Sequence, residues 1–120
     1  MNFYKKICKE FSFLKKLGYK QEVFFAQGCE VNFIGEENTI LIICSVGRDE
    51  QYRKKAFLNV IVSSQKNRVN LLQCNCFDSL ALEVLQRSLE GKKMNEQIEI
   101  YARFLSDNFD KLSNYSQFAQ

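Results

Sequence analysis

The chain has 120 residues, of which 46% are hydrophobic and 26% are charged, with a net charge of +3. This balance predicts one soluble globular domain spanning residues 1–120, because a chain of this size can bury about two thirds of its unfolded surface. The small net charge argues against the concentrated basic surface of a dedicated nucleic-acid binder.

Residues 3–17 predict an amphipathic helix, because apolar side chains recur every three or four positions and lysines fill the opposite face. Gly18 follows as a left-handed helix stop. A charged, amphipathic start does not have the pattern of a secretory signal peptide, so we expect a cytoplasmic protein with free, buried thiols. The apolar stripe consists of Phe3, Ile7, Cys8, Phe11 and Leu14.

Four segments then predict an antiparallel meander with short polar links, at residues 19–26, 30–34, 39–46 and 56–63. The longest apolar run, residues 39–46, is the expected central strand. Its two faces are both mostly apolar, so we expect helices to cover one and the tail or a partner to cover much of the other. The first face carries Ile40, Ile42, Cys44 and Val46, and the second carries Leu41, Ile43 and Ser45.

The last third predicts helices at residues 77–89 and 95–112. The stretch before them, residues 69–73, could be a short strand or the first turn of the next helix. Asn75 or Asp78 could cap the first helix, and Asn95 the second. The expected apolar stripes are Leu80, Ala81, Val84, Leu85 and Leu89 in the first helix, and Ile98, Tyr101, Leu105 and Phe109 in the second.

This order of elements predicts an α+β fold with two layers. An antiparallel β-meander of about four strands would pack with one N-terminal helix and two C-terminal helices. The polar tail, residues 113–120, is expected to fray.

No set of residues predicts catalysis or metal binding. The chain has no His, the commonest general base and metal ligand. Cys74 and Cys76 are too few for a zinc site and lack the usual two-residue redox spacing, so we interpret them as packing residues. Two acid pairs lie in hydrophilic turns and are interpreted as solvated loop charge, so we expect neither an enzyme nor a cofactor. These pairs are Glu36-Glu37 and Asp49-Glu50.

The charged connection at residues 47–55 is the best candidate for a protein interface, because Tyr and Arg often anchor interfaces. The candidate contact residues there are Arg48, Asp49, Glu50, Tyr52 and Arg53. Aromatic side chains of the strands could instead form stacking platforms for nucleic acid. These strands have almost no Lys or Arg between the aromatics, however, so we expect the aromatics in the core. These aromatics are Phe24, Phe25, Phe33 and Phe57.

The chain resembles a diverse group of small bacterial immunity proteins, which neutralise toxin domains of contact-dependent growth inhibition and related polymorphic toxin systems. The likeness spans most of the chain. It is carried by FSFLKKLGYK at residues 11–20, Val31-Asn32-Phe33, Ile40-Leu41-Ile42, IYARFL at residues 100–105 and Asn108-Phe109-Asp110.

The resemblance implies stoichiometric binding to a cognate toxin domain, which could be a nuclease. The bound protein would occlude the active site, or a site for substrate or for an activating host factor. Immunity proteins against nucleases often present acidic surfaces, whereas this chain is mildly basic. The contact would then use local acidic patches, Glu36 with Glu37 and Asp49 with Glu50, or the toxin would not be strongly basic. The alternative is a small nucleic-acid-associated or regulatory binding domain. We expect no membrane partner and no direct nucleic-acid contact for an immunity protein, and the oligomeric state stays open.

Overall fold

One antiparallel sheet with helices on one side is formed by residues 3–25, 28–64 and 67–112, the part of the chain that the computed structural model describes. Every strand pairs with its sequence neighbours, in the order β1-β2-β3-β4-β5. The strands are β1 Lys20–Phe24, β2 Gly28–Ile34, β3 Thr39–Arg48, β4 Lys54–Ser63 and β5 Arg68–Asn70. The helices are α1 Tyr4–Glu10, α2 Phe13–Lys16, α3 Ser79–Leu89, α4 Met94–Asp107 and α5 Phe109–Leu112.

The predicted α+β architecture is confirmed, with changes at the ends of elements. The ambiguous stretch contains both alternatives, since β5 is followed directly by a 3₁₀ turn, Leu71–Gln73. The first helix is interrupted at residues 11–12, and the last is interrupted at Asn108. Gly18 stops the first helical segment with a φ of 96°, as predicted. The tail at residues 113–120 lies outside the described residues. None of the helices in the described ranges has the length and apolar composition needed to cross a bilayer.

The core lies between the helices and one face of the sheet. Alternate residues of the central strands point into it, and the ring of Phe11 lies 6.2 Å from that of Phe33 between helix and sheet. Each large apolar side chain buried there contributes about 1.5–3 kcal/mol. The fully buried side chains include Ile7, Phe11, Leu14, Val31, Phe33, Ile40, Ile42, Val60, Val62, Leu71, Ile98, Leu105 and Leu112.

The second face of the sheet has no helix of the described chain packed on it. Leu41 is only 8% exposed, yet it lies outside the core cluster that contains every described helix. On that face its direct strand partners are Asn32 and Ile61. The expectation that this face is largely covered therefore holds for Leu41 but not for the half-buried Ile43 and Ser45.

The stripe predicted for α3 is wrong at two positions, because Leu80 and Val84 are exposed while Leu85 is buried. Apolar residues occupy more than half of the helix circumference, so the partner α4, and not the pattern, selects the buried face. Of the predicted cap positions, the one at Asp78 is confirmed and the one at Asn95 is wrong. Asp78 is the N-cap of α3 without a side-chain hydrogen bond, and α4 is capped by Lys93 instead of Asn95.

A buried hydrogen-bonded asparagine holds together the end of the sheet where β2 turns into β3. Asn38 is 3% exposed, accepts a 2.5 Å hydrogen bond from the Tyr19 hydroxyl and donates a 3.2 Å bond to the carbonyl of Leu112. Gly35 is required in this turn, since a Cβ there would lie 2.7 Å from the Tyr19 ring. Burial raises the pKa of Tyr19 to about 12. One side chain thus joins the sheet to the last helix.

Candidate interaction surface

The hairpin of β3 and β4 extends beyond the rest of the sheet. Among the described residues, pairing of β2 with β3 runs as far as Gly28 and Ser45, whereas β3 and β4 continue through three further pairs, from Val46–Ala56 to Arg48–Lys54. We call residues 46–56 the arm. Gly28 lets β2 end against β3, because its φ is 130° and a Cβ would lie 2.1 Å from the Cys44 carbonyl oxygen. Much of the predicted connection is therefore strand, and only residues 49–53 form the turn.

The turn of the arm is organised by Asp49. One carboxylate oxygen accepts hydrogen bonds from the backbone N–H groups of Gln51 and Arg53, both at 2.9 Å. The other oxygen accepts from Arg53 Nε, also at 2.9 Å. The backbone N–H groups and the nearby guanidinium stabilise the charged carboxylate, so the pKa of Asp49 is lowered. These bonds hold the turn in a defined shape before any partner binds.

Tyr52 is an exposed aromatic side chain in this turn, with 83% of its surface accessible. Its φ is 60°, in the left-handed region that side chains other than Gly, Asn and Asp rarely adopt. Such a conformation costs about 1–2 kcal/mol in an L-residue. The Arg48 guanidinium donates to the Tyr52 carbonyl at 3.2 Å and helps to hold it. Backbone strain of this kind concentrates at functional positions, so the exposed phenol is a candidate contact.

The charges of the arm are predominantly positive. Four basic side chains, Arg48, Arg53, Lys54 and Lys55, stand against two acids, Asp49 and Glu50, which leaves an excess of two positive charges. Asp49 is occupied by the turn, so its carboxylate is not free to contact a partner. The arm therefore presents mainly positively charged side chains and one phenol to a partner, and it does not present an acidic patch. Lys54 and Lys55 were not among the predicted contact residues.

The uncovered sheet face adds aromatic side chains beside the arm. Phe24 and Phe57 are 49% and 37% exposed, and Lys55 lies 5.6 Å from the Phe57 ring centroid. The core prediction is therefore right for Phe33 but wrong for Phe24, Phe25 and Phe57. The alternation of side chains along β4 explains the difference, because Phe57 points away from the face that carries the half-buried Leu58 and the buried Val60. That alternation was visible in the sequence.

The predicted contact residues separate into two groups. Arg48, Asp49, Glu50, Tyr52 and Arg53 come together in the arm. Glu36 and Glu37 lie in the exposed turn before β3, at the opposite end of this ten-residue strand. At about 3.3 Å per residue, the two turns are roughly 30 Å apart. A single contact of ordinary size centred on the arm would not include the Glu36-Glu37 turn.

A cavity lies beside this surface, but the described residues form no metal-ligand cluster. Among residues 3–25, 28–64 and 67–112, no group of three or more His, Cys, Asp or Glu side chains is arranged to hold a metal ion. A cavity of about 350 Å³ lies at the base of the arm and is lined by Phe3, Cys29, Cys44, Val46 and Lys55, among others. Comparison of the chain with protein-family models, curated proteins and solved structures finds no match.

Proposed function

We propose that this chain is a cytoplasmic immunity protein that neutralises a cognate toxin domain of the contact-dependent growth inhibition type by forming a stoichiometric complex. The arm and the adjoining uncovered sheet face would form the contact. The observation that carries the proposal is Tyr52, which is held at a φ of 60° on a stiffened turn and exposes 83% of its surface. A turn selected only for stability would place Gly or Asn there.

The shape of the surface supports recognition of a folded protein. The turn is fixed by Asp49 in the free chain, so binding would order few further groups. A projecting hairpin can enter a concave site, and the face beside it can contact the rim. Aromatic and Arg side chains supply most anchors in such contacts.

The charge of the arm indicates what the partner should present. Its excess of two positive charges would complement an acidic or mixed surface. This agrees poorly with a protein that imitates nucleic acid to occupy a strongly basic nuclease site. A toxin whose active site is lined by carboxylates fits the arm better.

The test uses the carboxy-terminal domain encoded by the gene immediately upstream, co-expressed with this chain. We expect a complex that co-elutes in size-exclusion chromatography and protects cells from the toxin. Tyr52→Asn should weaken binding by roughly thirtyfold, as expected for an anchor worth about 2 kcal/mol. The same variant should raise the free energy of unfolding by about 1 kcal/mol, because Asn tolerates a positive φ.

Leu80→Asn is the matched control, since Leu80 is 65% exposed on α3, away from the arm. It should leave the affinity unchanged. A wild-type pair that never co-elutes would overturn the proposal. A complex that survives Tyr52→Asn but is lost in Leu80→Asn would move the contact to α3.

One observation favours a second candidate, a nucleic-acid-associated domain. Lys55 lies over Phe57, and Phe24 is exposed on the same sheet face, so a base could stack beside a phosphate contact. With the four arm cations engaged, the logarithm of affinity for a single-stranded oligonucleotide should fall against log salt with a slope of roughly −3. Absent or salt-independent binding to such an oligonucleotide excludes this candidate.

A further inference from the structure

Two thiols outside the arm lie within reach of each other. The sulfur atoms of Cys74 and Cys76 are 3.1 Å apart, in the short connection between the 3₁₀ turn and α3. Backbone hydrogen bonds hold this connection, from the Cys74 N–H to the Leu71 carbonyl at 3.1 Å and from the Phe77 N–H to the Cys74 carbonyl at 3.3 Å. Cys74 is fully buried, whereas Cys76 is half-buried and reaches the surface.

The chain contains a second thiol pair with a different environment. Cys29 and Cys44 are opposite each other on β2 and β3, and both are buried. Burial raises the pKa of Cys29 and raises that of Cys44 to about 11. At Cys74 the hydrogen bond from the Cys76 thiol outweighs burial and lowers the pKa. The first proton therefore leaves the Cys74–Cys76 pair more readily than it leaves the strand pair.

We infer that Cys74 and Cys76 form a site of reversible thiol–disulfide exchange, whose co-reactant is a low-molecular-weight disulfide such as glutathione disulfide. The 3.1 Å separation of the sulfurs carries this inference, since a covalent bond requires an approach of only about 1 Å to reach the disulfide length. Because Cys76 reaches the surface and Cys74 is buried, Cys76 reacts first with the external disulfide and Cys74 reacts second.

Loss of one proton leaves the two sulfurs sharing one proton and one negative charge. The hydrogen bond between the two thiols lowers the pKa of Cys74 and raises that of Cys76, so the charge rests mainly on Cys74. When the shared proton moves to Cys74, the exposed Cys76 thiolate attacks a sulfur of glutathione disulfide, and one glutathione thiolate leaves. Cys74 then gives its proton to that glutathione thiolate. The resulting Cys74 thiolate attacks the Cys76 sulfur and displaces the second glutathione as a thiolate, which takes up the proton that the pair lost at the start. Two protein thiols lose two electrons and two protons, and one glutathione disulfide becomes two glutathione molecules.

Closing this bridge would constrain the start of α3. The next residue, Phe77, packs edge-on against Phe104 of α4, with ring centroids 5.1 Å apart. A Cys74–Cys76 bond would thus fix a connection that joins β5, α3 and α4. The site lies outside the arm, so this inference does not depend on the toxin partner.

Tryptic digestion allows one experiment on the whole native chain to compare both pairs. Cleavage after Arg68 and Arg87 gives a peptide with Cys74 and Cys76 as its only thiols, and cleavage after Lys20 and Arg48 gives one with only Cys29 and Cys44. The chain is incubated with glutathione disulfide, quenched by alkylation and analysed by mass spectrometry. We expect the peptide of residues 69–87 to lose two hydrogens at least about tenfold faster than the peptide of residues 21–48.

Single variants test the order of the two steps. Cys74→Ser should stop at one glutathione on Cys76, and Cys76→Ser should leave the 69–87 peptide unmodified. A wild-type 69–87 peptide that stays reduced, or that reacts no faster than the 21–48 peptide, would overturn the inference. That result does not depend on whether the variants fold. Reduced glutathione should return the bridged peptide to its dithiol form.

Discussion

Residues 40–44 of β3 lie between two paired strands and beneath the helices, whereas residues 46–48 of the same strand pair, among the described strands, with β4 alone. In the first region the side chains of Ile40 and Ile42 have no exposed surface, and in the second Val46 is 47% exposed. An apolar, β-branched side chain on the same face of β3 therefore stabilises the fold at Ile40 and Ile42 but presents a surface at Val46. Neighbouring strands, and not the residues of β3 themselves, decide which.

This comparison separates two kinds of mutational effect. Changes in the covered region should reduce the free energy of unfolding, because they remove contacts with the helices and with the strands on either side of β3. Changes in the arm should alter binding or local order, and they should shift the free energy of unfolding by no more than the roughly 1 kcal/mol expected when strain at Tyr52 is relieved. Any residue that violates this division would show that the two regions are coupled.

The largest effect is expected for Ile42→Ala. Removing this fully buried side chain should lower the free energy of unfolding by about 2–5 kcal/mol. The matched change Val46→Ala, four residues along the same face, should cost less than about 0.5 kcal/mol. Urea denaturation followed by circular dichroism measures both. Equal losses would mean that the arm is packed as tightly as the core.

A smaller loss, about 1–3 kcal/mol in total with water replacing the two lost bonds, is expected for Asn38→Ala, at the end of the sheet opposite the arm. The change leaves the Tyr19 hydroxyl and the Leu112 carbonyl without their buried partner. Each unsatisfied group costs about 1–3 kcal/mol unless water replaces the bond. The denaturation midpoint should fall, while the affinity for the toxin domain should not change at fixed folded concentration. A loss of affinity without a loss of stability would place this end of the sheet, with Glu36 and Glu37, in the contact.

Alkaline pH should weaken the same end of the sheet. Burial raises the pKa of Tyr19 to about 12, above its ordinary value of 10.0. A raised folded pKa contributes stability that is complete below pH 10 and is lost as pH rises toward 12. Stability should therefore fall over this interval, and less steeply in Tyr19→Phe. Tyr101 is shifted in the same direction, so the variant should retain part of the slope. A slope that Tyr19→Phe leaves unchanged would mean that Tyr19 ionises without cost.

Much of the fold could be predicted because its signals are local. The β-branched run of β3, the helical spacing of Ile7, Phe11 and Leu14, and Gly18 each act within a few residues. The buried face of α3 could not be predicted, since either of two apolar stripes would serve until α4 packs on one.

The candidate surface was predictable only in part. Tyr and Arg composition indicated the residues of the turn, but not that the strands continue to Arg48 and from Lys54. That extension is defined relative to Gly28, the first residue of β2, where the backbone approaches the Cys44 carbonyl closely. The sulfur contact of Cys74 with Cys76 depends on the 3₁₀ turn, whose sequence could equally have formed a strand.

The smallest effect on global stability, and the sharpest local one, is expected for Asp49→Ala. The change removes the acceptor of the Gln51 and Arg53 amides, so both should exchange hydrogen faster while core amides keep their protection. Acid should act in the same way on the wild type. The folded pKa of Asp49 is lowered, so its bonds persist above the ordinary value of 3.8 and are lost as pH falls through the folded pKa. Amide exchange followed by NMR at several pH values measures this. If the arm amides stay protected in the variant, the strand pairs alone hold the turn, and the preorganisation assigned to Asp49 is wrong.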